Sequence, residues 1–319
     1  MRAKARAHPN IAVIKYWGKR DLERNLPAVG SISITLSDLY SDMAIEVDPT
    51  LGEDVLLVNG DASRAMLARV SSCVDNVAGN DRPAVRIHSN GNFPIAAGLA
   101  SSASAFAALV VASDAAFDCR KSHAELVNLA GRASGSAARS LLGGFVELEN
   151  RDKEVVVRNL LPADSWPLRI VVAITAPGPK PVSSGDAMEI SRTTSPFYAR
   201  WVEQQAEDLA EARAAIKARD LHRLGAIAEH NCLKMHSVMW ASRPPMIYWN
   251  SATIACMQTV RDLQSQGIAV FFTIDAGPQL KAICLPQHEA TVRAAMVATT
   301  GVVDVMVSGV GIGARVIDA

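Results

Sequence analysis

The segment between Gly98 and Ala116 constrains the fold more than any other part of this 319-residue chain. It reads GLASSASAFAALVVASDAA, so that small, helix-forming residues occupy nearly every position rather than a single face. Such a composition is typical of a helix that other elements surround, because it offers no polar face to solvent. The segment therefore predicts a tightly packed helix that is buried near its start.

The loop that leads into this helix is the first candidate binding site. Residues 94–105 read PIAAGLASSASA, with small side chains and two hydroxyls at the helix start. Unpaired N–H groups and the positive end of the helix dipole attract anions, and small side chains let a phosphate approach the backbone. The loop therefore predicts a phosphate cradle, although it matches neither the Walker A nor the Rossmann pattern. The alternative is a close-packed helix that Ser101 and Ser102 merely cap.

Strand-like and helix-like segments alternate along the whole chain. Its length exceeds what one hydrophobic core usually organises, since domains hold roughly 100 to 200 residues. Near residue 165 the pattern changes to a strand, long helices, a hairpin, a helix and a last strand. This order of elements predicts an α+β protein with two domains, at residues 1–165 and 166–319. The clearest patterns predict strands at 31–35, 42–47, 84–88, 168–175, 268–274, 280–285 and 302–307, and helices at 122–133, 196–219, 220–237 and 287–299.

Two more segments place charged residues in apolar surroundings. Lys15 ends the strand-like run of AHPNIAVIKYWGKRD, and Asp275 ends an apolar strand before the turn residues Ala276 to Pro278. A buried charge is costly unless an opposite charge or a ligand compensates it. We therefore predict that Lys15 pairs with Asp275 beside a ligand. The alternatives are a lysine that extends to solvent and an aspartate that only forms a turn.

Composition excludes several classes of protein. Lys and Arg total 32, as do Asp and Glu, so no global field draws the chain to nucleic acid or an anionic membrane. Apolar runs fall far short of the roughly 20 residues of a membrane helix, and no signal-peptide core follows the basic N-terminus. The five cysteines form no CxxC pair and indicate buried free thiols. We predict a cytoplasmic protein without nucleic-acid or membrane partners.

Seven blocks resemble, in order and across almost the whole chain, the diphosphomevalonate decarboxylases of the GHMP kinase superfamily. They are NIAVIKYWGKRD, NLPAVGSISITL, PIAAGLASSASAFAAL, GSAARSLLGGFVEL, KPVSSGDAM, MHSVMWASRPPMIYW and TIDAGPQ. The resemblance implies a GHMP kinase-like fold with an N-terminal α/β nucleotide-binding domain, a ferredoxin-like C-terminal domain and an active site between them. One block departs from the family pattern NLPxNSS, because Val29 and Gly30 replace an Asn and a Ser.

The resemblance also implies a reaction and its residues. ATP, with Mg²⁺, phosphorylates the C3 hydroxyl of (R)-5-diphosphomevalonate, and loss of phosphate and CO₂ gives isopentenyl diphosphate. The residues that match the family's catalytic positions are Asp275, Lys15 and Arg139. Those expected to bind the substrate are Tyr16, Lys19, Arg139, Ser183 and Ser184. Those expected to bind ATP are Asn10, Pro94, Gly98, Leu99, Ala100, Ser101, Ser102, Ala103 and Lys180, and no residue is assigned to the metal.

Other activities of the same superfamily stay open at this point. They are a mevalonate 5-phosphate decarboxylase and a mevalonate 3-kinase that phosphorylates C3 and stops. A homologue that binds without turnover is a third alternative. Asp275 argues against the kinase, and the presence of Asp275, Lys15 and Arg139 together argues against the binding homologue. A homodimer is expected by analogy and is the commonest oligomer.

Overall fold

Strands and helices alternate through the chain in the computed structural model, which describes residues 1–93, 101–151, 154–178 and 182–317. The mixture of sheets and helices confirms the predicted α+β class. Within these described ranges, no helix combines the length and the apolar character needed to span a bilayer.

The described elements are numbered in chain order. The strands are β1 (Arg2–Ala7), β2 (Asn10–Ile14), β3 (Lys19–Asp21), β4 (Leu26–Pro27), β5 (Ser31–Thr35), β6 (Ser41–Val47), β7 (Val55–Val58), β8 (Asp61–Ala62), β9 (Val85–Gly91), β10 (Phe145–Asn150), β11 (Val155–Leu161), β12 (Arg169–Ile174), β13 (Val270–Ile274), β14 (Leu280–Cys284), β15 (Asp304–Gly309) and β16 (Arg315–Ile317). The helices are α1 (Leu67–Ala78), α2 (Ser101–Ala116), α3 (His123–Ala133), α4 (Ala137–Ser140), α5 (Ser184–Thr194), α6 (Tyr198–Ala218), α7 (Leu221–Trp240), α8 (Ser251–Ser265) and α9 (Glu289–Ala298).

Three sheets organise these elements. The first has the strand order β16-β1-β6-β9-β7-β8, the second β11-β10-β5-β2 and the third β13-β14-β12-β15, and β3 pairs with β4 in a small hairpin. Neighbouring strands are antiparallel except for β7 and β9. Strand β16 pairs with β1, so the end of the chain returns to the sheet that its beginning started. The domain boundary at residue 165 stays a prediction.

Helix α2 lies in the core beside the first sheet, as its small residues predict. Its alanines pack against β1 and β6, and Ala103, Ala107 and Ala108 are fully buried. The buried hydroxyl of Ser104 lies 2.8 Å from Ser41 Oγ and 3.2 Å from the carbonyl of Ser101, so its burial leaves no polar atom without a partner. The predicted loop before this helix, residues 94–100, lies outside the described residues.

The third sheet has two buried faces, and one of them positions the site. Phe272 and Ile274 of β13 pack toward α8 and α9, whereas Phe271 faces the core shared with β2 and α7. On this second face, Thr273 Oγ donates a hydrogen bond of 3.1 Å to the carbonyl of Ala12 in β2. The contact brings the end of β2 beside the end of β13, although the two strands are far apart in sequence.

The return of the chain to the first sheet depends on close backbone packing at Gly311. Its N–H donates to the carbonyl of Thr35 at 2.7 Å, and its carbonyl accepts a 2.8 Å hydrogen bond from the N–H of Gly144. A β-carbon at Gly311 would overlap the carbonyl of Leu36. Only glycine fits here without a backbone shift.

We expect Gly311→Ala to lower the free energy of unfolding by about 1 to 3 kcal/mol, the usual range for overpacking a close-fitting site. Denaturant unfolding of both proteins measures the difference. The matched control is Gly52→Ala, because a β-carbon at Gly52 would meet no atom within 4 Å. Equal stability of the two variants would show that the backbone around Gly311 yields easily.

Candidate active site

A cavity of about 920 Å³ opens where the ends of β2 and β13 meet the starts of α2 and α5. Its volume lies within the range of small-molecule sites, roughly 300 to 1,000 Å³. The charged side chains of its described lining are the cations Lys15, Lys19, Arg69, Arg132 and Arg139 and the carboxylates Glu23 and Asp275. The cavity is therefore positively charged, although the chain as a whole is neutral.

Asp275 lies at this cavity between two buried lysines. Lys15 Nζ donates to Oδ1 at 2.7 Å, and Lys281 Nζ lies 3.0 Å from Oδ2. The predicted pairing of Lys15 with Asp275 is therefore confirmed. Burial alone would raise the pKa of Asp275, but the charges of Lys15 and Lys281 outweigh that effect and hold the pKa well below its usual range. The carboxyl group is consequently ionised at neutral pH.

Main-chain contacts at Lys15 fix the lysine beside this carboxylate. Its N–H donates to Asn231 Oδ1 of α7 at 2.7 Å, and its carbonyl accepts from Gln205 Nε2 of α6 at 2.8 Å. Only 1% of the Lys15 side chain is exposed. Helices α6 and α7 therefore hold the end of β2 in register with the turn that carries Asp275.

Arg139 is a second buried cation, and it lies on the short helix α4. Its Nε donates to Ser33 Oγ at 3.0 Å, its Nη1 donates to Ser31 Oγ at 2.5 Å, and its Nη2 donates to Asn10 Oδ1 at 3.1 Å. Burial lowers the pKa of Arg139 to about 10, so the group stays a cation at neutral pH. A guanidinium carries five N–H groups, and one on each Nη has no hydrogen-bond partner among the described residues. These two donors suit a carboxylate.

Asn10 supports Arg139 in this arrangement. Its amide Nδ2 donates to Ser140 Oγ at 2.8 Å and to the Ser136 carbonyl at 3.1 Å, which turns Oδ1 toward Arg139. Asn10 also lines the cavity. Its predicted role in ATP binding stays a prediction.

Tyr16 and Lys19 lie together on the cavity wall, as their predicted role in substrate binding requires. Burial raises the pKa of Tyr16 to about 12, and its hydroxyl has no hydrogen-bond partner in the described part of the chain. The phenol is therefore neutral and able to donate. Burial also lowers the pKa of Lys19, with Arg69 as a further cause. Gly135 leaves room for the phenol, because a β-carbon there would lie 2.5 Å from the Tyr16 hydroxyl.

The predicted serine positions line two helix starts at the cavity. Ser101 and Ser102 begin α2, and Ser102 Oγ lies 3.5 Å from Ser134 Oγ. Ser183 and Ser184 begin α5, where Ser183 Oγ accepts a 3.2 Å hydrogen bond from the N–H of Asp186 as the N-cap. Ala103 is buried in the core and does not line the cavity. Five predicted ATP residues lie outside the described residues, namely Pro94, Gly98, Leu99, Ala100 and Lys180.

The departure from the family pattern at Val29 and Gly30 lies behind the cavity wall. Val29 is buried in the cluster that contains Trp17 and Met188. At Gly30, a β-carbon would lie 2.9 Å from Leu209 Cδ1 of α6. Neither residue contributes to the described lining of the cavity. The two replacements therefore change packing against α6 rather than the charged groups of the site.

Sequence reasoning missed three residues of the site. Lys281 is the second cation of Asp275, and Ser31 and Ser33 position Arg139. A signal for Lys281 was present, since it is the single charge in the apolar strand LKAIC. The same feature had identified Lys15. The two serines gave no signal, because serine is common in strands that alternate between buried and polar faces.

The cavity fits a magnesium ion that enters with a nucleotide. Among the residues that the structure describes, no group of three or more His, Cys, Asp and Glu side chains is placed to hold a metal. Mg²⁺ commonly keeps several waters and binds through one or two protein ligands together with phosphate oxygens. The hydroxyl oxygens of Ser101 and Ser102 lie at the cavity wall and could be these protein ligands.

Comparisons with known proteins agree across the length of the chain. Residues 7–156 match the family described as diphosphomevalonate decarboxylase-like N-terminal domain, and residues 170–308 match the mevalonate 5-diphosphate decarboxylase C-terminal domain. The diphosphomevalonate decarboxylase of Candida albicans is 33% identical over 299 residues, which cover 86% of this chain and 82% of that protein.

Solved structures show the same similarity. The structure of mevalonate diphosphate decarboxylase from Staphylococcus aureus matches this chain with a TM-score of 0.92 and 36% sequence identity. The match covers 99% of this chain and 98% of that chain. The protein called MDDEF, solved in complex with MVAPP, AMPPCP and magnesium, also has a TM-score of 0.92, with 34% identity over 100% of this chain and 99% of its own.

We expect Asp275→Asn to lower the free energy of unfolding by about 3 to 5 kcal/mol near neutral pH, because two buried lysines lose their counter-ion. The pKa of Asp275 is lower in the folded chain than the value of about 3.9 in the unfolded chain. Its stabilisation is therefore present above that value and is lost as the pH falls. Denaturant unfolding at about pH 7 and about pH 3 should show a smaller difference between the two proteins at the lower pH. A difference that does not change with pH would show that Asp275 stabilises the fold without its charge.

Proposed function

Because this chain belongs to the diphosphomevalonate decarboxylase family, we propose that it converts (R)-5-diphosphomevalonate to isopentenyl diphosphate, using ATP and releasing ADP, phosphate and CO₂. The enzyme is an ATP-dependent carboxy-lyase of the mevalonate pathway. One observation carries the assignment of its residues. An ionised Asp275 and an incompletely paired Arg139 line one positively charged cavity.

Asp275 orients the C3 hydroxyl of the substrate for phosphorylation. Asp275 lines the cavity beside Lys15, and 23% of its side chain is exposed. A carboxylate with so low a pKa is a weak base, so it accepts a hydrogen bond from the hydroxyl in the ground state. The proton moves to Asp275 only as the bond from oxygen to phosphorus forms, when the hydroxyl becomes much more acidic.

Arg139 holds the carboxylate that leaves as CO₂. Each Nη keeps one N–H group that no described residue accepts, and two N–H groups of one planar guanidinium can bind both oxygens of a carboxylate. Ser31, Ser33 and Asn10 fix the orientation of the guanidinium. The substrate carboxylate would also compensate the charge of a buried arginine, and this favours its binding in the site.

The remaining cations of the cavity bind phosphates. Lys15 lies close enough to Asp275 to contact a phosphoryl group on its way to the C3 hydroxyl, and Lys19 and Tyr16 offer donors to the diphosphate of the substrate. Ser101 and Ser102 face the nucleotide at the start of α2. When bound with the nucleotide, Mg²⁺ would neutralise phosphate charge and polarise the phosphoryl group that is transferred.

The proposal extends to the organisation of the protein. Five free cysteines, four of them buried, suit a reducing cytoplasm, where disulfides are rare. We place the domain boundary near residue 165, which lies between the two ranges that match the family. A homodimer is the oligomer most common among soluble proteins.

The test is incubation of the protein with ATP, Mg²⁺ and, separately, mevalonate, its 5-phosphate and its 5-diphosphate. We expect equal amounts of CO₂ and ADP with the 5-diphosphate. A mevalonate 3-kinase would instead release ADP without CO₂, and a 5-phosphate decarboxylase would prefer the monophosphate. Binding of ATP without release of ADP would identify a homologue that has lost turnover.

Asp275→Asn is the matched control for this assay, because it keeps the shape of the side chain but removes the charge. We expect kcat to fall by roughly 100-fold or more, as for loss of a general base, while ATP binding changes little. Thermal melting verifies that the variant is folded. Turnover near that of the wild type would remove Asp275 from the reaction.

We expect Arg139→Lys to be a damaging substitution although it keeps the positive charge. A lysine presents one point charge in place of two parallel donors, so kcat/KM for the 5-diphosphate should fall by a factor that corresponds to roughly 2 to 5 kcal/mol. Steady-state kinetics at saturating ATP measures the effect. Full activity of this variant would contradict carboxylate binding by Arg139.

A further inference from the structure

The two oxygens of Asp275 have partners of different kinds. Oδ1 accepts from Lys15, which lines the cavity. Oδ2 pairs with Lys281, which is absent from the described lining and has a completely buried side chain. One lysine therefore lies on the ligand side of the carboxylate and the other on the protein side.

Strand β14 determines the position of Lys281. In the antiparallel pair of β13 and β14, Lys281 is opposite Thr273, whose hydroxyl donates to the carbonyl of Ala12 in β2. The lysine therefore points toward the contact between the second and third sheets. Burial lowers the pKa of Lys281, and the charge of Asp275 opposes that change.

Among the described residues, few other charged groups surround Asp275. Helix α7 packs against this region with Cys232 and His236, and burial raises the pKa of Cys232 and lowers the pKa of His236 to about 3. Both groups are therefore neutral at neutral pH. Arg139 acts on Asp275 only through its longer-range charge. Lys15 and Lys281 are the described cations in direct contact with the carboxylate.

We propose that Lys281 is the fixed counter-ion of Asp275: it holds Oδ2 from the protein side, so that Oδ1 faces the C3 hydroxyl and Lys15 is free to contact the transferred phosphoryl group. This inference rests on the proposed function. Lys281 is a positioning residue, because it acts through Asp275 and does not reach the cavity.

The division of roles follows from the cost of an unpaired buried charge. If Lys15 were the only partner of Asp275, its movement to a phosphoryl group would leave the carboxylate uncompensated in a desolvated site. With Lys281 in place, Asp275 keeps one ion pair throughout the reaction. The carboxylate therefore stays ionised and oriented while phosphate charge accumulates next to it.

The test is the pH dependence of kcat in Lys281→Met, which keeps the length of the side chain without its charge. We expect kcat to fall by about 10- to 100-fold, as for a small misplacement of a reacting group. Loss of one adjacent cation raises the pKa of a carboxyl group by about 1 to 3 units. Activity needs the ionised Asp275, so the acidic limb of the profile should move to higher pH.

Lys4→Met is the matched control. Asp42 is also a buried carboxylate flanked by two cations, Lys4 at 3.3 Å and Arg6 at 2.7 Å, and it does not line the cavity. Its variant likewise removes one of the two cations beside a buried carboxylate, but away from the site, so we expect its acidic limb to coincide with that of the wild type. An acidic limb for Lys281→Met that also coincides with the wild type would overturn the proposal, even if the variant melts at a lower temperature.

A double variant tests the same coupling without turnover, and this separates the inference from the proposed function. Lys281→Met leaves Asp275 with one cation, whereas Lys281→Met with Asp275→Asn removes both charges of the pair. We expect the double variant to lose less stability than the sum of the single variants, and to be at least as stable as Asp275→Asn alone, because Lys281→Met removes one of the two lysines that Asp275→Asn leaves without a counter-ion. Additive losses, or a double variant that is less stable than Asp275→Asn, would refute the role of Lys281 as counter-ion.

Discussion

The ion cluster of Lys15, Asp275 and Lys281 is the interaction on which the rest of the site depends. Its members come from the ends of β2 and β13 and from within β14, so three strands from distant parts of the chain must be in register for it to form. An isolated charge buried this deeply would strongly destabilise the fold. The carboxylate of Asp275 avoids this cost because it is paired with two ammonium groups. The contact between the second and third sheets therefore has both an apolar part and an electrostatic part.

Arg139 shows the complementary arrangement, in which no carboxylate of the described residues pairs with a buried cation. Neutral oxygens of Asn10, Ser31 and Ser33 accept its hydrogen bonds, and they orient the group without neutralising it. Such a site attracts an anion more strongly than a surface arginine would, because little solvent competes and the donors are already positioned. Burial of the Arg139 charge without a counter-ion lowers the stability of the ligand-free protein, and an anionic ligand that binds to Arg139 compensates this loss.

Much of this architecture could be predicted from the sequence, and the exceptions have physical reasons. Small-residue composition located α2, and periodicity located α6, α7 and the four strands of the third sheet, because their burial is strong. Strand β1 escaped prediction, since RAKARA has low strand propensity. Its alanines suit it to the sheet, because α2 packs closely over them. Helices α1 and α8 and strand β11 were also missed.

For the site, lone charges in apolar strands identified Lys15 and Asp275. The hydroxyl partners of Arg139 could not be predicted from composition, because they depend on strand register.

The pairing of β16 with β1 also bears on how the protein forms during synthesis. Strand β1 lies between β6 and β16, so its second edge stays without a partner until β16 has been synthesised. A nascent first sheet thus exposes a row of free backbone N–H and C=O groups, the kind of edge that pairs with other chains. The lysine and arginines of RAKARA oppose such association, because two like-charged edges repel. RAKARA is a poor strand former in isolation, but its charges keep the open edge of β1 from pairing with another chain before β16 is present.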